Sequence, residues 1–146
     1  MSMTLWRCII GKRSYELRVS SIESFWPNGK PKSKTKYDSH EKKAYTINYD
    51  EQGRPLNGVC GDFMNWEMID CITIKINGDG DMDDFSTRVL PPWHEHEIKS
   101  VIVGEGIKSI GKHAFSAVIT NACINNVELP ESLCYVPSSA FEGNAL

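Results

Sequence analysis

The amino-acid sequence predicts a mostly β protein, in which a short solenoid of two clear repeats and one degenerate coil is capped by an N-terminal β region. Three observations lead to this fold class. Apolar and polar residues alternate in several short segments, and no segment of ten or more residues within 1–97 keeps a 3.6-residue period. The C-terminal part of the chain also repeats itself at an offset of 26 residues.

The internal repeat is the most informative of these observations. Residues 101–115 read VIVGEGIKSIGKHAF, and residues 127–141 read VELPESLCYVPSSAF. Val, Glu, Ala and Phe recur identically at four aligned positions, and apolar type recurs at three more. Two apolar residues spaced by two, followed by Gly or Pro, predict a short strand with one buried face and then a turn. One such coil cannot bury its stacking faces alone, so neighbouring coils must cover them.

The first 59 residues also read as strands joined by turns. Thr4–Ile10 and Tyr15–Val19 flank a Gly-Lys-Arg-Ser turn and predict a hairpin, and Lys43–Tyr49 alternates with a period of two. Ser20–Glu23 has the spacing of a capping box and predicts one helical turn, which Trp26-Pro-Asn-Gly29 would end.

Length and composition fit an ordinary globular protein. The chain has 146 residues, is 40% hydrophobic and 24% charged, and contains no apolar run of the roughly 18 residues that a membrane span needs. The N-terminal apolar run, Cys8 to Ile10, is followed at once by Gly-Lys-Arg, so a secretory leader is not expected. The five cysteines, at positions 8, 60, 71, 123 and 134, form an odd set without a Cys-x-x-Cys pair. This pattern predicts reduced thiols and a cytoplasmic location, with the cell surface or secretion as the alternative.

Charge is distributed unevenly along the chain. Residues 1–49 carry ten Lys and Arg against four Asp and Glu, a net charge of +6, whereas residues 50–146 carry six against fifteen, a net charge of −9. The positive charge is concentrated in a segment interpreted as a solvated basic loop, and its members are Lys30, Lys32, Lys34, Lys36, Lys42 and Lys43. Such a cluster can also bind nucleic acid or another anionic surface.

Several patterns that suggest a metal or an active site are better explained structurally. The Asp-rich run 77–84 lacks both the turn glycine and the final bidentate carboxylate of an EF-hand. His94 and His96 lack a third ligand with zinc-binding spacing, and Cys134 has no adjacent basic residue to activate a thiolate. Phosphate-binding loops and a nucleophile elbow are absent from the sequence. We therefore expect no cofactor, no metal and no catalytic residue.

The repeat resembles a known family. The run from Ile98 to Phe115 resembles the BspA-type leucine-rich repeat, whose pattern is a strand, a Pro or Gly turn, a Val-x-x-Ile-Gly step and Ala-Phe. Residues 66–93 resemble the segment that often precedes such repeats, a Trp strand, a Thr-Ile strand, Gly-x-Gly-x-Met and Pro-Trp. The resemblance covers about residues 60–146 and implies two parts, an unrecognised cap at 1–59 and a solenoid at 60–146. It also implies stacked short strands that form one sheet and are used mainly to bind proteins, with Trp66 and Trp93 as packing residues.

Alternation along the repeat strands predicts a partner-binding face. If Val101, Val103, Val127 and Leu129 point inward, their neighbours along the strands point to an exposed face. The residues predicted on this face are Ser100, Ile102, Asn126 and Glu128, with Thr73, Lys75 and Asn77 from the degenerate coil. Trp26, beside a predicted turn, is a further candidate contact.

The sequence thus predicts a non-enzymatic protein-binding module, and an intracellular binder or inhibitor is favoured. Binding to host or matrix proteins at a cell surface and nucleic-acid binding through the basic segment are the alternatives. A homodimer is also predicted, through an uncovered C-terminal repeat.

Overall fold

The expected mostly β architecture is confirmed by a computed structural model. It describes the backbone of residues 5–13, 16–38 and 43–144, and the side chains of residues 23–35 and 46–144. The chain divides into two compact units, Met1–Leu56 and Asn57–Leu146. Within the described ranges the structure contains strands and turns but no α-helix, and accordingly no helix there is long and apolar enough to cross a membrane.

The N-terminal unit is a four-stranded antiparallel sheet in the order β1-β2-β3-β4. Its strands are β1 (Leu5–Arg13), β2 (Glu16–Phe25), β3 (Pro31–Asp38) and β4 (Lys43–Asn48). The predicted hairpin is present as β1 and β2, which pair from Leu5 with Phe25 to Arg13 with Glu16. The prediction of a helical turn at Ser20–Glu23 is wrong, since these residues lie inside β2. Pairing of β2 with both β1 and β3 there outweighs the local capping pattern.

The interpretation of the basic segment as a loop is also wrong for most of its length. Lys32, Lys34 and Lys36 belong to β3, which pairs with β2 on one side and β4 on the other, and Lys43 begins β4. Lys30 lies in the turn before β3, and Lys42 lies outside the described residues. Hydroxyl pairs support the strand pairing, because Ser24 Oγ lies 2.6 Å from Ser33 Oγ and Thr35 Oγ1 lies 2.7 Å from Thr46 Oγ1.

The C-terminal unit is built on a five-stranded sheet in the order β11-β9-β7-β6-β5. Its strands are β5 (Asn57–Gly61), β6 (Met64–Met68), β7 (Thr73–Gly78), β9 (Ser100–Val103) and β11 (Asn126–Glu128). The first three pair antiparallel, whereas β7, β9 and β11 are parallel to one another. A second parallel ladder pairs β8 (Gly80–Asp81) with β10 (Ile107–Ser109), and Ser109 also bridges to Tyr135.

The parallel ladders follow the sequence repeat. Val101 pairs with Val127 in the β9–β11 ladder, which is the alignment that the 26-residue offset gives. Side chains connect the same coils outside the strands: the Gly106 N–H donates to Ser132 Oγ at 3.0 Å, and the Glu131 N–H donates to Glu105 Oε1 at 3.1 Å. Residues one repeat apart are therefore neighbours in space.

A row of aromatic rings forms the centre of the core. Trp93 stacks on Phe115 with ring centroids 5.2 Å apart, and Phe115 stacks on Phe141 at 5.4 Å. Trp66 and Phe85 meet Trp93 edge-on at 5.6 and 5.5 Å. Trp66 and Trp93 are buried, which confirms their predicted packing role. Aromatic pairs in these geometries stabilise a core beyond the area that they bury.

Candidate partner-binding face

One side of the five-stranded sheet covers the core, and the other side carries the predicted binding residues. The covering side chains are buried, among them Trp66, Ile74, Ile76, Val101 and Val103. Successive residues of a strand point to opposite sides, so their neighbours form a second surface, which we call the outer face.

The outer face has a central row that crosses all five strands. The strand registers place Asn57, Glu67, Lys75, Ile102 and Glu128 side by side in that order. Glu67 and Glu128 are exposed, and Lys75 and Ile102 are half-buried. The row therefore presents one apolar side chain between charges of both signs.

A second row lies beside it on β7, β9 and β11, where Thr73, Ser100 and Asn126 are register partners. Asn126 is exposed, Ser100 is half-buried, and Thr73 is buried although it occupies an outer position. The Thr73 hydroxyl bonds to the carboxylate of Asp70, which lies in the turn before β7. The Ile72 N–H donates to Asp70 Oδ1 at 2.9 Å, and this bond, together with the Thr73 hydroxyl, lowers the pKa of Asp70.

The structure thus brings five of the six predicted partner-binding residues together: Ser100, Ile102, Asn126, Glu128 and Lys75. The sixth, Trp26, belongs to the N-terminal unit. Its indole Nε1 donates to the Tyr49 carbonyl at 3.2 Å, so the polar edge of the ring is already used within that unit.

The prediction that Leu129 points inward is wrong. Leu129 is 51% exposed, and its repeat partner Val103 is buried. The physical reason is that β11 ends at Glu128, one residue earlier, and Pro130 follows. Alternation holds only while the strand continues, so it no longer specifies a direction at Leu129. Val127, inside the strand, is partly buried against the core as expected.

The structure adds residues that the sequence interpretation missed. Val59 is 71% exposed and lies opposite Asn65 on the outer face, and Phe63, at the turn between β5 and β6, is 81% exposed. Exposed large apolar side chains of this kind are typical of interaction surfaces. The alternation of each strand could have identified the positions of Val59 and Asn65. Cys60 and Trp66 are buried, so their strand neighbours Val59 and Asn65 point to the opposite side of the sheet.

The basic residues of the N-terminal unit form a small group that we call the basic face, Lys32 and Lys34 of β3. The Lys32 ammonium lies 4.8 Å from the centre of the Trp26 ring, and the Lys34 ammonium lies 5.7 Å from the centre of the Tyr49 ring. Both are cation–π contacts, which orient the two ammonium groups on the strand. Lys30 is engaged differently, because its Nζ donates to the Gln52 carbonyl at 3.1 Å.

The residues that suggested metal sites make hydrogen bonds instead. Asp81 Oδ1 accepts from Ser109 Oγ at 2.9 Å, and Asp84 Oδ1 accepts from the Lys112 N–H at 2.8 Å. Both bonds join successive repeats. His94 Nδ1 lies 2.8 Å from the Pro91 carbonyl oxygen. Among the residues that the structure describes, no group of three His, Cys, Asp or Glu side chains is arranged to hold a metal ion.

The described cysteines, at 60, 71, 123 and 134, are all free thiols. Burial raises the pKa of the Cys60 thiol to about 12, with a smaller contribution from the negative charge of Asp83. A thiol with this pKa stays protonated at neutral pH and is a poor nucleophile. Cys134 is exposed, and its thiol donates to the Ser132 carbonyl at 3.3 Å.

Comparisons with known proteins give no family assignment. No protein-family model matches the chain, and neither the curated proteins nor the solved structures that were searched include a match.

Proposed function

We propose that the protein is a non-enzymatic protein-binding module that holds its partner on the outer face of the five-stranded sheet. The observation that carries this proposal is the row of Glu67, Lys75, Ile102 and Glu128 across four adjacent strands. An apolar side chain flanked by charges of both signs offers a partner both desolvated contact and a fixed register. Because these residues lie on paired strands, their backbone is already ordered, and a partner has to order only the side chains.

The proposal includes a BspA-type leucine-rich-repeat solenoid for the C-terminal unit. Two features support it, the parallel ladder of β7, β9 and β11 and the hydrogen bonds between residues 26 apart. In such a fold each coil adds one strand to a common sheet, so the outer face is the surface that all the coils share.

The proposed partner is an intracellular protein, on which the module acts as a binder or inhibitor. The free thiols of the described cysteines support a reducing compartment. Attachment to a host or matrix protein at a cell surface is the competing version.

An affinity capture with the tagged full chain, run against cytosolic lysate and separately against matrix proteins, distinguishes the two. A partner that stays bound at roughly threefold higher salt, and that comes from one pool only, identifies the compartment.

The outer-face prediction is tested by the double variant Ile102→Glu and Glu128→Lys. We expect the affinity for the captured partner to fall by at least about thirtyfold, since loss of a central interface residue costs roughly 2 kcal/mol or more. The fold should be unaffected, because neither side chain belongs to the buried core. Isothermal titration calorimetry measures the affinity, and far-UV circular dichroism checks the fold.

The matched control is Val89→Glu with Glu95→Lys, which also replaces one β-branched apolar residue by Glu and one Glu by Lys, at two exposed positions outside every strand of the sheet. This control should bind like the unmodified chain. Equal affinities of the double variant and the control would place the binding surface elsewhere.

A second candidate function is binding of nucleic acid or another polyanion by the basic face. The cation–π contacts favour it, because they orient the Lys32 and Lys34 ammonium groups, which occupy alternate positions on the same side of β3. The Trp26 and Tyr49 rings are covered by these ammonium groups, so the face suits a phosphate backbone better than stacked bases.

This candidate makes a quantitative prediction about salt. If both lysines contact phosphates, Lys32→Gln with Lys34→Gln should reduce the slope of log K against log salt concentration by about 1.4 to 1.8. The measurement is a fluorescence-anisotropy titration of labelled single-stranded and duplex oligonucleotides over a series of salt concentrations. The control, Lys108→Gln with Lys112→Gln, removes two exposed lysines from the C-terminal unit and should leave the slope unchanged. Identical slopes for both pairs of substitutions would exclude the basic face as the anion site.

A further inference from the structure

The edge of the five-stranded sheet at β11 has a pattern that is complementary to itself. Among the described strands, β11 has β9 as its neighbour and no strand on its other side. The Asn126 N–H points toward β9 and donates at 3.3 Å to the carbonyl of Lys99, the residue that precedes β9. Since backbone groups alternate in direction along a strand, the N–H and C=O of Val127 point away from β9.

We propose that this edge binds a second copy of the chain, with the two β11 strands antiparallel about a twofold axis beside Val127. In this register the two Val127 residues face each other as a hydrogen-bonded pair and exchange two N–H···O=C bonds. The dimer joins two five-stranded sheets into one and goes beyond the proposed function, since its backbone bonds form along the edge of the sheet, although Asn126 and Glu128 of the outer face also contribute side chains to it.

Side-chain chemistry selects the same register. With Val127 on the axis, Asn126 of each copy lies opposite Glu128 of the other, and both residues are on the outer face and exposed. An amide can donate to the facing carboxylate, and the twofold axis creates this pair twice. An axis at Glu128, as a non-hydrogen-bonded pair, would instead oppose two carboxylates. The register on Val127 thus satisfies both the outward backbone groups and the charges of the facing side chains.

Exposed apolar side chains lie at the same end of the unit as β11, and a second copy would cover them. Leu129 and Tyr135 are 51% and 59% exposed, and Val136 is also exposed. Tyr135 is the outermost member of the second parallel ladder, beside β10, just as β11 is the outermost strand of the first. Two edges that meet at β11 would bring these apolar residues of both copies to the interface, and exposed apolar patches of this kind are common at self-association sites.

Sedimentation equilibrium of the full chain, up to about 1 mM, tests the proposal because two short strands predict a weak dimer. Asn126→Asp places two carboxylates opposite each other twice, so it should raise the dimer dissociation constant by about tenfold. Adding Glu128→Lys to that variant creates two opposite-charge pairs and should restore the dimer. Hydrogen exchange should show protection of the Val127 amide that increases with protein concentration.

Separate outcomes distinguish this dimer from the proposed partner binding. Ile102→Glu lies on the outer face but on β9, so it should weaken partner binding and leave the dimer intact. A monomer at every concentration would overturn the proposed dimer, and so would a dimer that Asn126→Asp leaves unchanged or that Glu128→Lys fails to restore. Loss of the dimer in Ile102→Glu would place self-association on the outer face and also overturn the edge. Circular dichroism of each variant separates these results from unfolding.

Discussion

Trp93→Ala should lower the free energy of unfolding of the C-terminal unit by about 3 to 5 kcal/mol. Trp93 is 1% exposed and contacts three other rings, those of Trp66, Phe85 and Phe115. Its indole Nε1 also donates to the Ala114 carbonyl at 2.8 Å. Truncation leaves a cavity in the centre of the core and an acceptor without its donor, and the two costs add.

Denaturant unfolding followed by far-UV circular dichroism measures this loss, because tryptophan fluorescence changes with the substitution itself. Trp93→Phe is the matched variant: it keeps a ring in the row but removes the bond to Ala114. We expect it to lose about 1 to 3 kcal/mol, less than the alanine variant. Equal stabilities of Trp93→Ala and the unmodified protein would show that the ring row does not hold the unit together.

Gly111→Ala should destabilise the same unit by about 3 kcal/mol or more, for a different reason. Gly111 is buried, and a Cβ atom there would overlap the Asp83 carbonyl oxygen and lie 2.8 Å from the Asp83 carbonyl carbon. These are backbone atoms of the preceding repeat, so they cannot rotate away. The close approach is fixed by the Lys112 N–H, which donates to Asp84 Oδ1, and by the Phe85 N–H, which donates to the Lys112 carbonyl.

Gly80→Ala separates steric overlap from backbone strain. Gly80 has a φ of +90°, but a Cβ atom at this position would have no other heavy atom within 4 Å, so the cost is conformational alone, about 1 to 2 kcal/mol. Thermal unfolding monitored by circular dichroism compares the two variants. If Gly111→Ala cost no more than Gly80→Ala, the two repeats would be free to move apart, and the tight contact would not be a constraint on the fold.

The sequence was informative wherever a buried face repeated. The 26-residue offset predicted the pairing of Val101 with Val127, because a recurring apolar pattern demands the same environment in each repeat. The same alternation predicted five residues of the outer face, since the direction of each outward side chain follows from its buried neighbours.

The sequence predictions were wrong where the segment has no alternating apolar pattern that marks a buried face. In β3, lysines alternate with Ser and Thr, so the segment carries no apolar signal, and the strand depends on pairing with β2 and β4. Leu129 was misplaced because the pattern carries no mark of where β11 ends. The contacts of Lys32 with Trp26 and Lys34 with Tyr49 join residues that the turn before β3 and the β3–β4 pairing bring together, so sequence spacing alone could not reveal them.

The direct contact of residues one repeat apart has a consequence for cooperativity. When β7, β9 and β11 depend chiefly on nearest-neighbour contacts, β11, with a single neighbour, can detach while β7 and β9 remain paired. The binding row crosses all three strands, so a ligand that grips Lys75, Ile102 and Glu128 together cannot stay bound while β11 is detached. Occupancy of the outer face would therefore suppress partial unfolding from that end, and the five-stranded sheet of the C-terminal unit would unfold as one block rather than strand by strand.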